Sequence, residues 1–303
     1  PELVHSKDPS RKTDATVIGT AYFYRLLRLM EHFATLLGKQ DDAQEYSQLA
    51  GKLRVAFNKT YFHATVGQYS NGSETSSVLP LAFRMVPEED RQGVTDALIS
   101  KIEKDKGHLA TGLLGGQWLM QTLSDNGHPG VAYQIAAQRT YPSWGYMVTH
   151  GATTIWELWN GDTADPAMNS GNHLMLVGDL ITWSYENLAG IRPDFAHPAF
   201  KHIVMRPTPV GDLTYVQASY NSSYGKIVSD WKIAGGRFIW NIIVPPNTTA
   251  TVYISGNDAA GITESGKPAS EAQSVKYLRT EAGATVYEIG SGSYRFESKM
   301  ARP

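Results

Sequence analysis

The sequence has 303 residues, which is enough for about two domains of ordinary size and for a large buried core. Its 27 basic and 29 acidic residues give a net charge of −2, which excludes the strongly basic surface of a typical nucleic-acid-binding protein. Because cysteine is absent, disulfides, thiolate metal sites and cysteine nucleophiles are excluded. No apolar run is long enough to span a membrane, and no signal peptide is visible. The chain begins with Pro1 rather than Met, so we expect it to belong to a longer gene product.

Up to about residue 190 the apolar residues recur at spacings of three and four, which is typical of helices packed on one face. The first predicted helix has Asp14 as its N-cap and Gly38 as its stop signal. This part of the chain carries 15 basic and 20 acidic residues, a net charge of −5. The pattern predicts seven helices joined as hairpins, at residues 14–37, 41–61, 74–84, 88–104, 113–124, 129–139 and 172–188.

After Gly190 apolar and polar residues alternate, which predicts short strands, and Gly235-Gly236 predicts a hairpin turn between two of them. The strands are expected at residues 201–205, 213–220, 226–233, 237–244, 250–254, 275–280, 284–288 and 293–298. Regular short strands with glycine turns favour an antiparallel β-sandwich with no parallel sheet. The predicted fold is therefore mixed α and β in separate domains, with helical hairpins at 1–190 and a β-sandwich at 195–303.

Several motifs that would indicate a metal, nucleotide or serine-hydrolase site are absent. The nine histidines form no pair spaced by four residues, so a helical zinc site is not expected. An oxygen-rich loop does occur, at Asn160, Asp162, Asp165 and Asn169, but its spacing does not match an EF-hand, and a solvated turn explains it better. We therefore expect no metal ion and no cofactor.

The segment 141–173 is unusually rich in aromatic residues. It contains Tyr141, Trp144, Tyr146, Trp156 and Trp159 within 19 residues. An indole offers a flat apolar face on which the C–H face of a pyranose can pack, so such a cluster on loops favours sugar binding. The alternative is that these rings fill the core between helices.

Glu157 lies within this cluster, between Trp156 and Trp159. A carboxylate flanked by indoles is partly desolvated and is a candidate acid or base, although a loop glutamate more often forms an ion pair or a cap. His173 opens the last predicted helix, where a capping or core histidine is the alternative to a ligand-binding one.

Three blocks of this segment resemble the family 78 glycoside hydrolases, the bacterial α-L-rhamnosidases: Tyr141 to Met147, Gly151 to Glu157 with its T-T-x-W-E sequence, and Asn172-His173. The similarity extends over nearly the whole chain. Further similar blocks are Leu109 to Gly112, Leu123 to Gly127, Val210 to Val216, Ser223 to Ile227 and Val244 to Val252. Within this resemblance, Glu74 stands where a glutamine is common.

The resemblance implies an (α/α)₆ barrel followed by a β-sandwich, and hydrolysis of terminal α-L-rhamnosides with inversion. It places the general base on Glu157 and a sugar contact on His173. The expected pocket walls are Trp144, Tyr146, Trp156 and Trp159. The substrate would be a rhamnose-containing glycoside or polysaccharide, and the location either extracytoplasmic (periplasmic or secreted) or cytoplasmic in a bacterium.

In the family the general acid lies upstream of the segment with which this chain begins, and seven helices fall short of the twelve that the barrel needs. We therefore expect the acid and the remaining helices to come from an earlier part of the same polypeptide or from a second chain. Two alternatives remain open: a non-catalytic carbohydrate-binding protein of the same fold, and another (α/α)₆ enzyme such as a polysaccharide lyase. The net charge of −5 disfavours the lyase, which needs basic residues for uronate substrates.

Overall fold

The computed structural model describes residues 12–167, 169–256, 258–281 and 283–300. They divide into two compact units between Leu180 and Ile181, a helical unit first and a unit of β-sheets second. This order confirms the predicted fold class, while the domain limits at 190 and 195 stay predictions. None of the described helices is long and apolar enough to cross a membrane.

The described part of the helical unit begins with a hairpin of two long helices, α1 (Ala15–Leu36) and α2 (Gln40–Tyr61). The Asp14 carboxylate accepts a hydrogen bond of 2.8 Å from the backbone N–H of Thr16, which confirms the predicted N-cap. Gly38 ends α1 with a φ of 72°, a left-handed conformation that glycine adopts at little cost.

The remaining helices are shorter. They are α3 (Glu74–Ala82), α4 (Arg91–Lys104), α5 (Leu113–Gly116), α6 (Leu119–Asp125), α7 (Pro129–Ala137), α8 (Trp144–Thr149) and α9 (Leu180–Trp183). A two-stranded ribbon of β1 (Phe62–His63) and β2 (Gln68–Tyr69) follows α2. Sequence reasoning missed this ribbon and also α8, because Pro142 and Gly145 favoured a loop there.

Two predicted helices are not continuous in the structure. The helix expected at 113–124 is interrupted at Gln117-Trp118, between α5 and α6. The helix expected at 172–188 is wrong as a single element, since it consists of a 3₁₀ turn (Leu174–Val177), α9 and a π-helical turn (Ser184–Leu188). Gly178 breaks it at a φ of 60°, where a Cβ atom would collide with the backbone of Gly116. A close tertiary contact, rather than local propensity, therefore decides this break.

Helix α3 is the buried helix of the first unit, and it carries a carboxyl group into the interior. Glu74 is 2% exposed. Its Oε2 accepts a hydrogen bond of 2.8 Å from the backbone N–H of Ala110, while its Oε1 is buried with no partner among the described residues. Burial raises the pKa of Glu74 to about 8, and the nearby charge of Asp105 adds to this effect. The side chain is therefore neutral at pH 7, which lowers the free-energy cost of its burial.

Replacement of Glu74 by glutamine is expected to stabilise the protein above neutral pH. The folded state holds the Glu74 proton up to about pH 8 while the unfolded state releases it near 4.5, so the free energy of unfolding falls as pH rises between these values. The free energy of unfolding of the Glu74→Gln variant does not fall in this way. Its difference from that of the wild type should therefore grow by up to about 1.4 kcal/mol per pH unit. Urea denaturation across this range measures the difference. Glu103→Gln, an exposed change on α4, is the control; equal slopes for the wild type and Glu74→Gln would contradict the expectation.

The second unit is built from strands of 2 to 10 residues. They are β3 (Ile191–Pro193), β4 (His202–Met205), β5 (Tyr215–Ser222), β6 (Gly225–Ala234), β7 (Arg237–Val244), β8 (Thr249–Ser255), β9 (Thr263–Glu264), β10 (Lys267–Pro268), β11 (Val275–Glu281), β12 (Ala284–Ile289) and β13 (Gly292–Lys299). All eight predicted strands are present, and the short strands β3, β9 and β10 were not predicted.

These strands form two sheets with the core between them. One sheet has the order β10-β9-β13-β7-β6-β5 and the other β11-β12-β8-β4-β3. Ile203, Val252 and Tyr287 of the second sheet belong to one buried cluster with Trp240 and Phe296 of the first. The buried indole of Trp240 is satisfied by a hydrogen bond of 2.9 Å to Ser229 Oγ. The arrangement is that of the predicted sandwich.

One strand pair departs from the antiparallel prediction. Strands β4 and β8 pair in parallel, with His202 opposite Thr249 and Met205 opposite Val252. Between them the chain leaves this sheet to form β5, β6 and β7 of the other sheet. A hairpin turn forces antiparallel pairing only between consecutive strands, so a strand that returns after such a crossover can run in the same direction.

Candidate active site

The candidate site is built on α8 and on the two loops that follow it. Helix α8 begins where the Ser143 hydroxyl accepts a hydrogen bond of 2.9 Å from the backbone N–H of Tyr146. Gly145 is required in its first turn, because a Cβ atom there would collide with the carbonyl of Gln138. This capped turn fixes Trp144 and Tyr146, two of the predicted site residues.

The predicted tryptophans are buried. Trp144 is 8% exposed, and its indole N–H donates a hydrogen bond of 3.0 Å to the carbonyl of Leu176. Trp159, which is 4% exposed, meets Trp144 edge to face with a distance of 5.8 Å between ring centroids. The two indoles line a small cavity together with Leu109, Thr111 and Leu176. Their role as walls that contact a sugar stays a prediction.

Glu157 and His173 are brought together by pairing of their loops. The backbone N–H of His173 donates to the carbonyl of Ile155 at 2.7 Å, and that of Glu157 donates to the carbonyl of Ser170 at 2.9 Å. The backbone N–H of Ser170 in turn donates to Glu157 Oε2 at 2.9 Å. As a result, Nδ1 of His173 lies 3.8 Å from Glu157 Oε2.

The two side chains differ in their access to solvent. The side chain of Glu157 is 41% exposed and that of His173 is 17% exposed. The carboxylate is thus held by a backbone N–H and still open to water or to a substrate. His173 Nε2 is buried and has no hydrogen-bond partner among the described residues.

The oxygen-rich loop is an exposed turn, as predicted, and two of its residues also bind neighbouring segments. Asp162 Oδ2 accepts a hydrogen bond of 2.9 Å from the hydroxyl of Tyr146, which raises the pKa of that tyrosine. Tyr146 also stacks on His150, with ring centroids 3.8 Å apart. Asn169 Oδ1 accepts a hydrogen bond of 3.0 Å from the backbone N–H of Leu158. The local sequence pattern does not predict the hydrogen bonds made by Asp162 and Asn169, because their partners lie 16 and 11 positions away.

The structure therefore assembles the predicted residues in two groups. Glu157 lies beside His173, and Trp144 lies beside Trp159, while the cavity next to the two indoles includes neither Glu157 nor His173. Trp156 is buried and packs over Gly161, where a Cβ atom would lie 2.6 Å from the indole ring. In the part of the chain that the structure describes, no group of three or more histidine, aspartate or glutamate side chains is arranged to hold a metal ion.

Replacement of Gly161 by alanine is expected to displace Trp156 and to destabilise the helical unit by about 1–3 kcal/mol, the usual cost of overpacking. Gly171→Ala in the facing loop is the matched control, because a Cβ atom there meets nothing within 4 Å. Urea denaturation of both variants gives the comparison. Equal stability of the two variants would show that Trp156 is not held against Gly161.

Comparison with known protein families gives matches over both units. The model of the bacterial alpha-L-rhamnosidase six-hairpin glycosidase domain matches residues 2–188, and that of the bacterial alpha-L-rhamnosidase C-terminal domain matches residues 190–269. An alpha-L-rhamnosidase of Streptomyces avermitilis is 38% identical over 297 residues, covering 95% of this chain and 27% of that protein. One of Formosa agariphila is 32% identical over 294 residues, covering 95% of this chain and 31% of that protein.

Similar solved structures are also those of alpha-L-rhamnosidases. The crystal structure of Streptomyces avermitilis alpha-L-rhamnosidase in complex with L-rhamnose has a TM-score of 0.87 at 37% identity, covering 95% of this chain and 27% of that chain. The crystal structure of the native enzyme from Aspergillus terreus has a TM-score of 0.82 at 28% identity, covering 96% and 31%. The chain thus spans less than a third of the length of each of these relatives.

Proposed function

The chain belongs to the bacterial α-L-rhamnosidase family, and from this membership we propose that it forms the C-terminal part of an enzyme that removes terminal α-L-rhamnosyl residues with inversion. The substrate is a rhamnose-containing glycoside or polysaccharide. Glu157 acts as the general base, and His173 contacts the sugar. The observation that carries the proposal is the pairing of their loops, which leaves a partly exposed carboxylate 3.8 Å from an imidazole.

Inverting hydrolysis needs a base that activates a water molecule on the face of the sugar opposite the leaving group. The backbone N–H of Ser170 is hydrogen-bonded to Glu157 Oε2, so the other oxygen of this carboxylate is the one that takes the proton from water. His173 lies beside this carboxylate and is partly exposed, which suits a contact between its side chain and the sugar.

The reaction also needs an acid that protonates the leaving oxygen, with its carboxyl group about 6.5–9.5 Å from the base. Asp162 accepts a hydrogen bond from Tyr146, and Asp165 accepts one from the backbone N–H of Ala167. Both lie on the loop that carries Glu157, on the same side of a bound sugar. Neither is placed to act as the acid, which the proposal assigns to an earlier segment of the same polypeptide or to a second chain.

The exposed surface of helix α1 indicates that further helices pack on it in the complete protein. It exposes an apolar stripe, spaced by three and four residues, which consists of Phe23 (45% exposed), Leu26 (52%), Met30 (37%) and Phe33 (51%) and continues to Leu37 (72%) directly after the helix. Such a stripe is the usual contact face of a packed helix. The proposal places additional barrel helices on it.

A non-catalytic carbohydrate-binding protein is the second candidate. The finding that favours it is the lack of an acid opposite Glu157 among the described residues. Binding of free rhamnose without turnover of an aryl α-L-rhamnoside by the complete protein would select this alternative.

In the complete enzyme, Glu157→Gln is expected to lower kcat by about 10²–10⁴, the usual contribution of a general base, because the amide cannot take a proton from water. The shape of the side chain is kept, so the thermal unfolding midpoint should not change. The assay is hydrolysis of an aryl α-L-rhamnoside. Asp165→Asn, the same chemical change on the same loop, serves as the control and should retain activity. Near-normal turnover by Glu157→Gln would show that Glu157 is not the general base.

Residues 1–303 alone are expected to be a poor catalyst and to associate through the stripe on α1. The reasons are the missing acid and the exposed apolar face, since patches of this kind rarely stay uncovered. The measurements are turnover of an aryl α-L-rhamnoside and molar mass by light scattering. Leu26→Glu with Phe33→Glu should reduce association, whereas Val55→Glu, at an exposed apolar position of α2, should not. Robust turnover by a soluble monomer would contradict the proposal.

A further inference from the structure

The second unit contains an open cleft of about 610 Å³ on the face of its five-stranded sheet that points away from the core. Its lining comes from the loop after β3, the starts of β4 and β8, and the end of β12. Ile203, Ala250 and Ile289 belong to the core. Because side chains alternate along a strand, their neighbours His202, Thr249 and Glu288 face the cleft. We call this surface the β4–β8 cleft.

The polar groups of the β4–β8 cleft are held in place by one another. His202 Nδ1 lies 2.7 Å from Thr249 Oγ1, and its Nε2 lies 2.9 Å from Thr251 Oγ1. Burial lowers the pKa of His202, so the ring is neutral at pH 7 and its orientation is fixed by one donated and one accepted hydrogen bond. A site whose side chains are already ordered loses less entropy when a ligand binds.

The loop after β3 is organised in the same way. Asp194 Oδ2 lies 2.7 Å from His197 Nδ1, and Asp194 Oδ1 accepts a hydrogen bond of 2.9 Å from the backbone N–H of Ala196. These hydrogen bonds, that of His197 first, hold the pKa of Asp194 below its usual value, so this carboxylate is ionised. The ammonium group of Lys201 donates to the carbonyl of Asn247 at 2.6 Å.

The charges of the cleft disfavour an ionic ligand. Two carboxylates, Asp194 and Glu288, oppose an anion, and the ammonium group of Lys201 opposes a cation. Together, the hydroxyl, amide and ammonium donors and the hydroxyl, amide and carboxylate acceptors of the lining suit a neutral polyol, whose hydroxyl groups both donate and accept hydrogen bonds. The ligand that fits this mixture is an uncharged sugar.

An aromatic ring lies on the same loop. Phe195, between Asp194 and Ala196, is 87% exposed, which is unusual for a large apolar side chain. No packing within the described protein explains a phenylalanine at this position. Phe195 is not one of the lining residues, but it directly follows Asp194, which is. The apolar C–H face of a pyranose that extends beyond the cleft can pack on this ring.

We propose that the β4–β8 cleft is a second saccharide-binding site, which holds a neutral pyranose residue of a longer glycan on the C-terminal unit. All of its lining residues belong to this unit, whereas Glu157 belongs to the helical one. The choice of rhamnose as the test sugar rests on the proposed function; the neutral character of the ligand rests on the cleft. Such a site raises the local concentration of polymeric substrate without taking part in the reaction.

The test follows backbone amide signals of the full chain by NMR, in the Glu157→Gln background so that no sugar is consumed. The probes are an α-linked tetrasaccharide of L-rhamnose, xylotetraose as another neutral sugar, and tetragalacturonate as an anionic one. We expect at least one neutral probe to shift the signals of Phe195, Asn247 and Gly290, with tetragalacturonate having no effect. Silence of these signals with both neutral probes, or a response to tetragalacturonate alone, overturns the proposal.

Two variants then locate the binding. Phe195→Ala removes an exposed ring that contributes little to folding, and Glu288→Gln keeps its shape. Each should weaken binding of the neutral probe by about tenfold or more, because it removes a stacking face or a charge-assisted hydrogen bond. Glu271→Gln, an exposed carboxylate of the same unit outside the cleft, is the control. Unchanged affinity in both variants overturns the proposal.

Adding His173→Ala separates this proposal from the proposed function. The His173→Ala change should leave binding in the β4–β8 cleft unaltered, whereas it should weaken binding of the sugar near Glu157. Loss of the cleft signals in the His173→Ala chain would overturn the second site and leave the proposed function intact.

Discussion

Two loop segments, Ile155 to Leu158 and Asn169 to His173, hold each other through main-chain hydrogen bonds, and the position of the candidate catalytic carboxylate depends on this pairing. Neither segment is part of a helix or a sheet, so no regular ladder of backbone hydrogen bonds fixes their register. The bonds from His173 to Ile155 and between Glu157 and Ser170 set it. Without them, Glu157 would be an ordinary carboxylate on an exposed loop.

Close packing beneath these loops makes the pairing possible. Trp156 lies over Gly161 with no room for a further carbon atom, and Trp144 and Trp159 meet edge to face. The aromatic cluster thus serves first as a support. Glu74 contributes from the interior, since its buried carboxyl group binds the backbone of Ala110 near the cavity that the indoles line. Burial raises the pKa of Glu74, so the carboxyl group is held there in its neutral form.

In the second unit, strand pairing in a sheet positions the polar residues of the β4–β8 cleft. The parallel pairing of β4 and β8 places His202 opposite Thr249 at the start of both strands. An antiparallel pair would put the start of one strand beside the end of the other, and the loops that begin β4 and β8 would lie at opposite edges. The departure from antiparallel order is therefore what gathers Asp194, Lys201 and Asn247 around one cleft.

The sequence by itself determined the long helices α1 and α2, the N-cap at Asp14, the eight main strands and the family resemblance around Glu157. These signals are local, because helical or alternating spacing and a capping side chain act within a few residues. Only the tertiary structure decided the break at Gly178, the parallel strand pair, the contact of Asp162 with Tyr146 and the neutral state of Glu74. Each of these depends on burial or on contact with residues distant in sequence, such as Gly116 for Gly178 and Ala110 for Glu74, and no local pattern records which distant residues will meet.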